Sequence, residues 1–172
     1  MSANWEKAKQ AARDIRSKFS SNGLSVNAFE VAKANGINVL YFKPEPGDEI
    51  VDASGVLDKA KRTIFLNIGE SPERQNFTLA HELGHYFLDH PTEEYGVYWR
   101  NQQYAPGIKS DKEREADCFA SELLMPKELI EQYKKKYHFD DTDYHALADL
   151  LGVSNEAMRN RLKDIRNGRI TE

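Results

Sequence analysis

The sequence predicts an α+β fold of helices, a small sheet, then helices, on three observations. Apolar residues at helical spacing open the chain, short β-branched and aromatic runs follow, and helix-start signals then recur to its end. At 172 residues with 40 % hydrophobic content, it fits one compact domain or one domain with a small appendage.

Trp5, Ala8, Ala12, Ile15 and Phe19 recur at helical spacing, so 3–20 is expected as an amphipathic helix. Ser25 can cap a short second helix carrying Val26, Phe29, Val31 and Ala32, which Asn35-Gly36 ends. Residues 37–42 form a β-branched, aromatic strand, closed by Pro44, Pro46 and Gly47. Residues 55–57 and 62–67 are two further strands joined by a charged turn at 58–61. Ser71-Pro72-Glu73 combines an N-cap serine, a proline at the first helical position and an acid in the first turn, and its helix should run to about Asp89. Residues 90–109 are irregular and rich in Tyr, Trp, Pro and Gly, suited to a lid or to a small satellite core. Ser110-Asp111-Lys112-Glu113 begins another helix, which Pro126 interrupts. From 126 to 168 three short helices are expected, separated near 139–142 and at Gly152. The expected division is therefore a core over 1–126 and a helical subdomain over 127–172, packed on it.

Charge narrows the function classes. With 24 basic and 28 acidic residues the formal charge is -4, which exerts no global pull toward nucleic acid or anionic membrane. No apolar run approaches the roughly 18 residues of a membrane span, and the opening residues lack the apolar stretch of a signal peptide. A single cysteine, Cys118, excludes an internal disulfide framework and a cysteine-rich zinc cluster; it is expected to pack as a small apolar residue. A cytoplasmic protein is the expectation.

The stretch Asn76-Phe77-Thr78-Leu79-Ala80-His81-Glu82-Leu83-Gly84-His85 contains His-Glu-x-x-His. On a helix, histidines at i and i+4 stand one turn apart on the same face, so both imidazoles can reach one ion. The glutamate beside them can hold and activate a metal-bound water instead of binding the metal. This composition puts a chance His-acid-x-x-His at roughly 2 %, so the match carries weight. Phe77, Ala80, Leu83, Gly84, Phe87 and Leu88 gather on one arc; His81, Glu82 and His85 gather on another. Gly84 costs about 1 kcal/mol in a helix interior relative to alanine, which predicts close packing beneath the site.

A catalytic zinc takes three protein ligands and keeps a position for water. His90, five residues past His85, is a weak candidate for the third. The next helix offers Glu113, Glu115 and Asp117. Glu113 and Asp117 are i and i+4, so one can ligate while the other orients a ligand histidine through its outer nitrogen. Ser110-x-x-Glu113 also matches a capping box, in which the glutamate serves only backbone N–H groups, and both readings stand.

These residues resemble the ImmA/IrrE family of metallopeptidases. The likeness rests on the 77–85 block with the strand 63–67 before it, on Glu113-Arg114-Glu115-Ala116-Asp117-Cys118-Phe119-Ala120-Ser121-Glu122-Leu123-Leu124-Met125-Pro126, and more weakly on 148–162. The resemblance implies a zincin-like fold, with a small N-terminal mixed sheet packed on the His-Glu-x-x-His helix and a C-terminal helical segment. It implies one zinc ion per chain, held by His81, His85 and Glu113. Asp117 would then support a ligand histidine, and Glu115 would be the fallback ligand. Where the family often has a histidine four residues past its motif, this chain has Asp89, with His90 one further on. The resemblance also implies an endopeptidase that cuts helix-turn-helix repressors in phage, mobile-element or stress circuits.

The expected chemistry is water attack on a peptide carbonyl with Glu82 as base. The substrate would lie extended, pairing with an edge near 55–57. Tyr95, Tyr98, Tyr104, His138 and His145 are available to stabilise an oxyanion. Two rivals remain. Residues 142–165 have a helix-turn-helix pattern, but 154–172 carry five bases against three acids, a thin footprint for DNA. A metal-bound binding protein with little protease activity would show the same site residues.

Overall fold

The computed structural model describes residues 3–19, 26–45, 53–91, 97–98 and 110–168. The chain opens with α1 (Trp5–Phe19), whose Ala8, Ala12 and Ile15 are buried while Trp5 stands half exposed. Helix α2 (Ala28–Ala34) follows. Its cap is Asn27, not Ser25: the Asn27 carboxamide oxygen accepts from the amides of Phe29 (2.8 Å) and Glu30 (3.4 Å). Gly36, at φ 65°, then turns the chain into the sheet, a left-handed position that suits glycine.

The sheet is mixed, in the order β1-β3-β2-β4. Strand β1 (Asn38–Phe42) runs parallel to β3 (Thr63–Asn67), and β2 (Gly55–Asp58) pairs antiparallel with β3. The two-residue β4 (Val97–Tyr98) pairs with β2 at Leu57 and Asp58, so that part of the expected substrate edge is occupied by the chain itself. Ile64 and Leu66 of β3 and Leu57 of β2 are fully buried beneath the helices.

Helix α3 (Pro72–Phe87) packs on this sheet, and Ser71 caps it by accepting from the Arg74 amide at 3.3 Å. Residues 78–85 are all buried, so this helix is the centre of the molecule. Its neighbour is α4 (Asp111–Leu124), capped by Ser110. The two backbones approach closely at Gly84, where a Cβ would meet Ala116 Cα at 3.1 Å. A second close approach lies at Gly55, where a Cβ would fall 2.4 Å from Thr78 Cγ2.

Three helices follow: α5 (Lys127–Tyr137), α6 (Tyr144–Leu151), entered through a 3-10 turn at Asp141–Asp143, and α7 (Asn155–Arg166). Leu147, Ala148, Val153, Met158 and Leu162 join the same apolar cluster as α1, α3 and α4, while Leu150 faces solvent. The turn between α6 and α7 is pinned to α3, because Asn76 Nδ2 donates to the Gly152 carbonyl at 3.0 Å. Glu122 of α4 is buried and binds Arg161 of α7 at 2.6 Å, with Arg13 and Arg16 of α1 at 3.3 and 3.5 Å. None of the helices in the described residues is long and apolar enough to cross a membrane.

Candidate metal centre

Helical spacing does to His81 and His85 what it predicts. Both rings lie on one face of α3, both are buried, and their Nε2 atoms stand 3.0 Å apart. The first turn of α4 brings Glu113 against them, with Oε2 3.3 Å from His81 Nε2 and Oε1 3.2 Å from His85 Nε2. The cap and ligand readings of Glu113 thus fall to different atoms. Its amide donates to Ser110 Oγ at 3.2 Å, and its carboxylate turns to the histidines.

The three residues form a triangle of donors: the two Nε2 atoms are 3.0 Å apart, and Glu113 faces His85 through Oε1 at 3.2 Å and His81 through Oε2 at 3.3 Å. Nitrogen and oxygen ligands placed tetrahedrally at zinc distances of about 2.0–2.1 Å are roughly 3.3–3.4 Å apart. Two neutral-capable imidazoles and a carboxylate are also the donor types that zinc takes in catalytic sites. The residues therefore fit a metal ion. Among the described residues this is the group of histidine and carboxylate side chains able to hold one.

Each histidine is also held from behind. Asp117 Oδ1 lies 2.9 Å from His81 Nδ1. His90 Nδ1 lies 2.9 Å from His85 Nδ1, and His90 Nε2 lies 2.9 Å from Glu115 Oε2. His90 and Glu115 are thus outside the donor triangle, on the far side of His85, so neither is placed as the third ligand. Sequence reasoning missed this arrangement. Its only signal was a buried-type histidine just past a helix end, because the turn that folds it back carries no glycine.

Protonation follows from these contacts. Burial disfavours a charge on His81, but Asp117 and Glu113 outweigh it and lift the imidazole to about 9. Burial lowers His85 to about 4, only partly opposed by Glu113, so it is neutral. Burial also lowers His90, against the pull of Glu115. Glu113 would be raised by burial, yet the two histidines hold it well below the usual carboxylate range. Glu82, next to His81, is buried, and its Oε1 lies 3.4 Å from where a Cβ on Gly55 would sit.

The remaining candidates lie elsewhere. His138 ends α5 and His145 lies on α6, both exposed and apart from the triangle. Tyr95 and Tyr104 fall outside the described residues, as does the side chain of Tyr98. Most of the expected lid at 91–107 falls outside them too. Cys118 is half-buried on α4, and burial pushes its thiol up to about 11, as an inert packing residue would be.

A family model described as the IrrE N-terminal-like domain, peptidase family M78, matches residues 32–163, more than half of the chain. The chain belongs to the M78 family. Metallopeptidase ImmA of Bacillus subtilis (strain 168) is similar to it, with 28 % identity over 127 residues that cover 73 % of this chain and 69 % of that one. The α+β architecture, with a small mixed sheet against α3, is consistent with a zincin-like M78 domain. Membership makes the chain a metallopeptidase and implies a metal, and His81, His85 and Glu113 are a group that could hold one.

Proposed function

We propose that this M78 chain is a zinc-dependent endopeptidase that hydrolyses a peptide bond in a regulatory protein of the helix-turn-helix repressor class, acting in the cytoplasm. The donor triangle of His81, His85 and Glu113 carries the reading, with Glu82 buried beside it. One zinc ion per chain held by these three residues would supply Lewis acidity, polarising the scissile carbonyl and easing deprotonation of water. Glu82 is then the base that takes the proton from the attacking water and hands it to the leaving amine. Asp117 accepts the His81 Nδ1–H, so the proton given up when an ion binds leaves from Nε2, on the side of the centre. The similarity to Bacillus ImmA supports a peptidase role, and the resemblance of the 77–85 and 113–126 blocks supports the repressor class.

In this reading residues 127–172 are a helical subdomain that completes the core. Its helix-turn-helix pattern favours packing over DNA binding. Arg161 is turned inward to Glu122, Arg166 pairs with Asp141 at 2.7 Å, and Leu147, Ala148, Met158 and Leu162 of α6 and α7 are in the core.

Metal analysis of the purified protein tests the proposal. Wild type should carry about one zinc per chain, and His85→Ala and Glu113→Ala should lose it. Wild-type protein that takes up no zinc when supplied with it would sink the enzyme reading.

A further inference from the structure

The face of His85 turned away from Glu113 is filled by a built arrangement. Asp89 adopts a left-handed backbone (φ 57°), uncommon for a residue other than glycine, and this turns the chain back at the end of α3. The His90 amide donates to the His85 carbonyl at 3.1 Å, and the two rings meet edge to face with centroids 4.9 Å apart. The turn is clamped from two sides. Lys7 Nζ of α1 donates to the Leu88 carbonyl at 3.0 Å, and Lys59 pairs with the Asp89 carboxylate. Glu115, which receives His90 Nε2, is itself anchored by the Asn4 amide at 2.6 Å.

We propose that His90, backed by Glu115, is a positioning residue that fixes the tautomer and ring orientation of His85. The inference rests on the reading of His85 as a metal ligand. Two imidazole nitrogens 2.9 Å apart need one N–H and one lone pair between them. An ionised Glu115 only accepts, so His90 carries its hydrogen on Nε2. The Nδ1 of a neutral His90 is then bare and accepts, which puts the His85 hydrogen on Nδ1. His85 Nε2 is left with its lone pair aimed at the site. The other His85 tautomer would set two lone pairs against each other at Nδ1 and point an N–H at the donor triangle. His81 obtains the same result from Asp117 directly, whereas His85 obtains it from a carboxylate acting through a second imidazole.

The test is zinc affinity, measured by competition with a chromophoric chelator, beside the visible spectrum of the cobalt-loaded protein. The series is wild type, His90→Phe, His90→Asn and Glu115→Gln. His90→Phe keeps the ring and loses the acceptor, so zinc affinity should fall about 10- to 100-fold and the cobalt spectrum should change. His90→Asn places an oxygen near the position of Nδ1 and should recover part of the loss. Glu115→Gln should weaken binding by a smaller factor. A packing role would reverse the order of the two His90 variants, with phenylalanine the better. That order overturns the inference, and so do wild-type affinity and an unchanged spectrum in both His90→Phe and Glu115→Gln. In either case zinc binding by the wild type leaves the metal centre standing, whereas a wild type that binds no zinc overturns both readings. Should His90→Phe fail to fold, Glu115→Gln decides on the same two readouts.

Discussion

His81 couples metal uptake to pH, since burial opposes its charge but Asp117 and Glu113 hold it protonated up to about 9. A metal takes only the bare nitrogen, so ion binding at neutral pH must expel that proton. About one proton should be released per zinc bound at pH 7, and apparent affinity should fall about tenfold per pH unit below the His81 value. Calorimetry in two buffers of different ionisation heat checks this; equal heats in both would show His81 neutral in the metal-free protein. The same shift acts on stability with the opposite sign. A pKa raised in the fold contributes stability that is full below 6.5 and is lost as pH rises to about 9. The melting temperature of metal-free protein should therefore drop over this window while zinc affinity climbs. Glu82 gives a separate prediction. Glu82→Gln keeps the shape and removes the base, so zinc content should match wild type while turnover of a cleaved substrate falls about 10²- to 10⁴-fold. A Glu82→Gln protein that still cleaves would eliminate the water-activation mechanism.

The contact between α3 and α4 is what brings Glu113 to the histidines, and Gly84 sets its closeness. A Cβ there would press on Ala116 Cα at 3.1 Å and on Phe119 Cβ at 3.2 Å, with a backbone that can move only as a whole helix. Gly84→Ala gains about 1 kcal/mol of helix propensity, but overpacking a tight core contact costs about 1–3 kcal/mol. The net should be a melting temperature lower by a few degrees, together with weaker zinc binding as Glu113 is displaced. A higher melting temperature with unchanged zinc affinity would show that α4 yields freely. This helix pair was legible before the fold was known, because Ser71-Pro72, Ser110 and the His-Glu-x-x-His spacing are local signals that burial reinforces. The cap of α2 was less so, since Ser25 and Asn27 are both good capping residues and only the helix register chooses between them. Nor could local pattern find the His90–Glu115 pair. It depends on a left-handed turn at Asp89, a residue that seldom takes that conformation, and on a carboxylate 25 positions away along the chain. Leu150 faces solvent because α6 is short and only one side of it reaches the core.

At the scale of the molecule, one buried glutamate joins the beginning, middle and end of the chain. Glu122 of α4 meets Arg161 of α7 and both Arg13 and Arg16 of α1, while Arg161 Nε also donates to the Met125 carbonyl at 2.8 Å. Glu122, Arg16 and Arg161 are each less than a tenth exposed, so their charges are satisfied by one another more than by water. The worth of such a network lies less in net attraction than in what its disruption leaves behind. Glu122→Gln preserves volume yet removes the carboxylate charge facing two buried guanidinium groups, leaving Arg161 the Met125 carbonyl and Arg16 the Glu122 carbonyl and Glu128 at 3.6 Å. Losing one partner of a buried ionic contact costs about 3–5 kcal/mol. For a chain of this size the melting temperature should drop by on the order of 10 °C. Pairing Glu122→Met with Arg161→Met removes the α4–α7 charges together, and it should restore part of that loss because apolar side chains can fill the same space. Because α4 also carries Glu113, Glu115 and Asp117, saturating zinc should raise the melting temperature of Glu122→Gln by mass action on the folded state. Thermal unfolding of the single and double variants, with and without zinc, measures all three effects. A single variant as stable as wild type would mean that water reaches the arginines once the carboxylate charge is gone, and that apolar packing with the Asn76–Gly152 and Arg161–Met125 hydrogen bonds suffices to join the C-terminal helices to the rest of the fold.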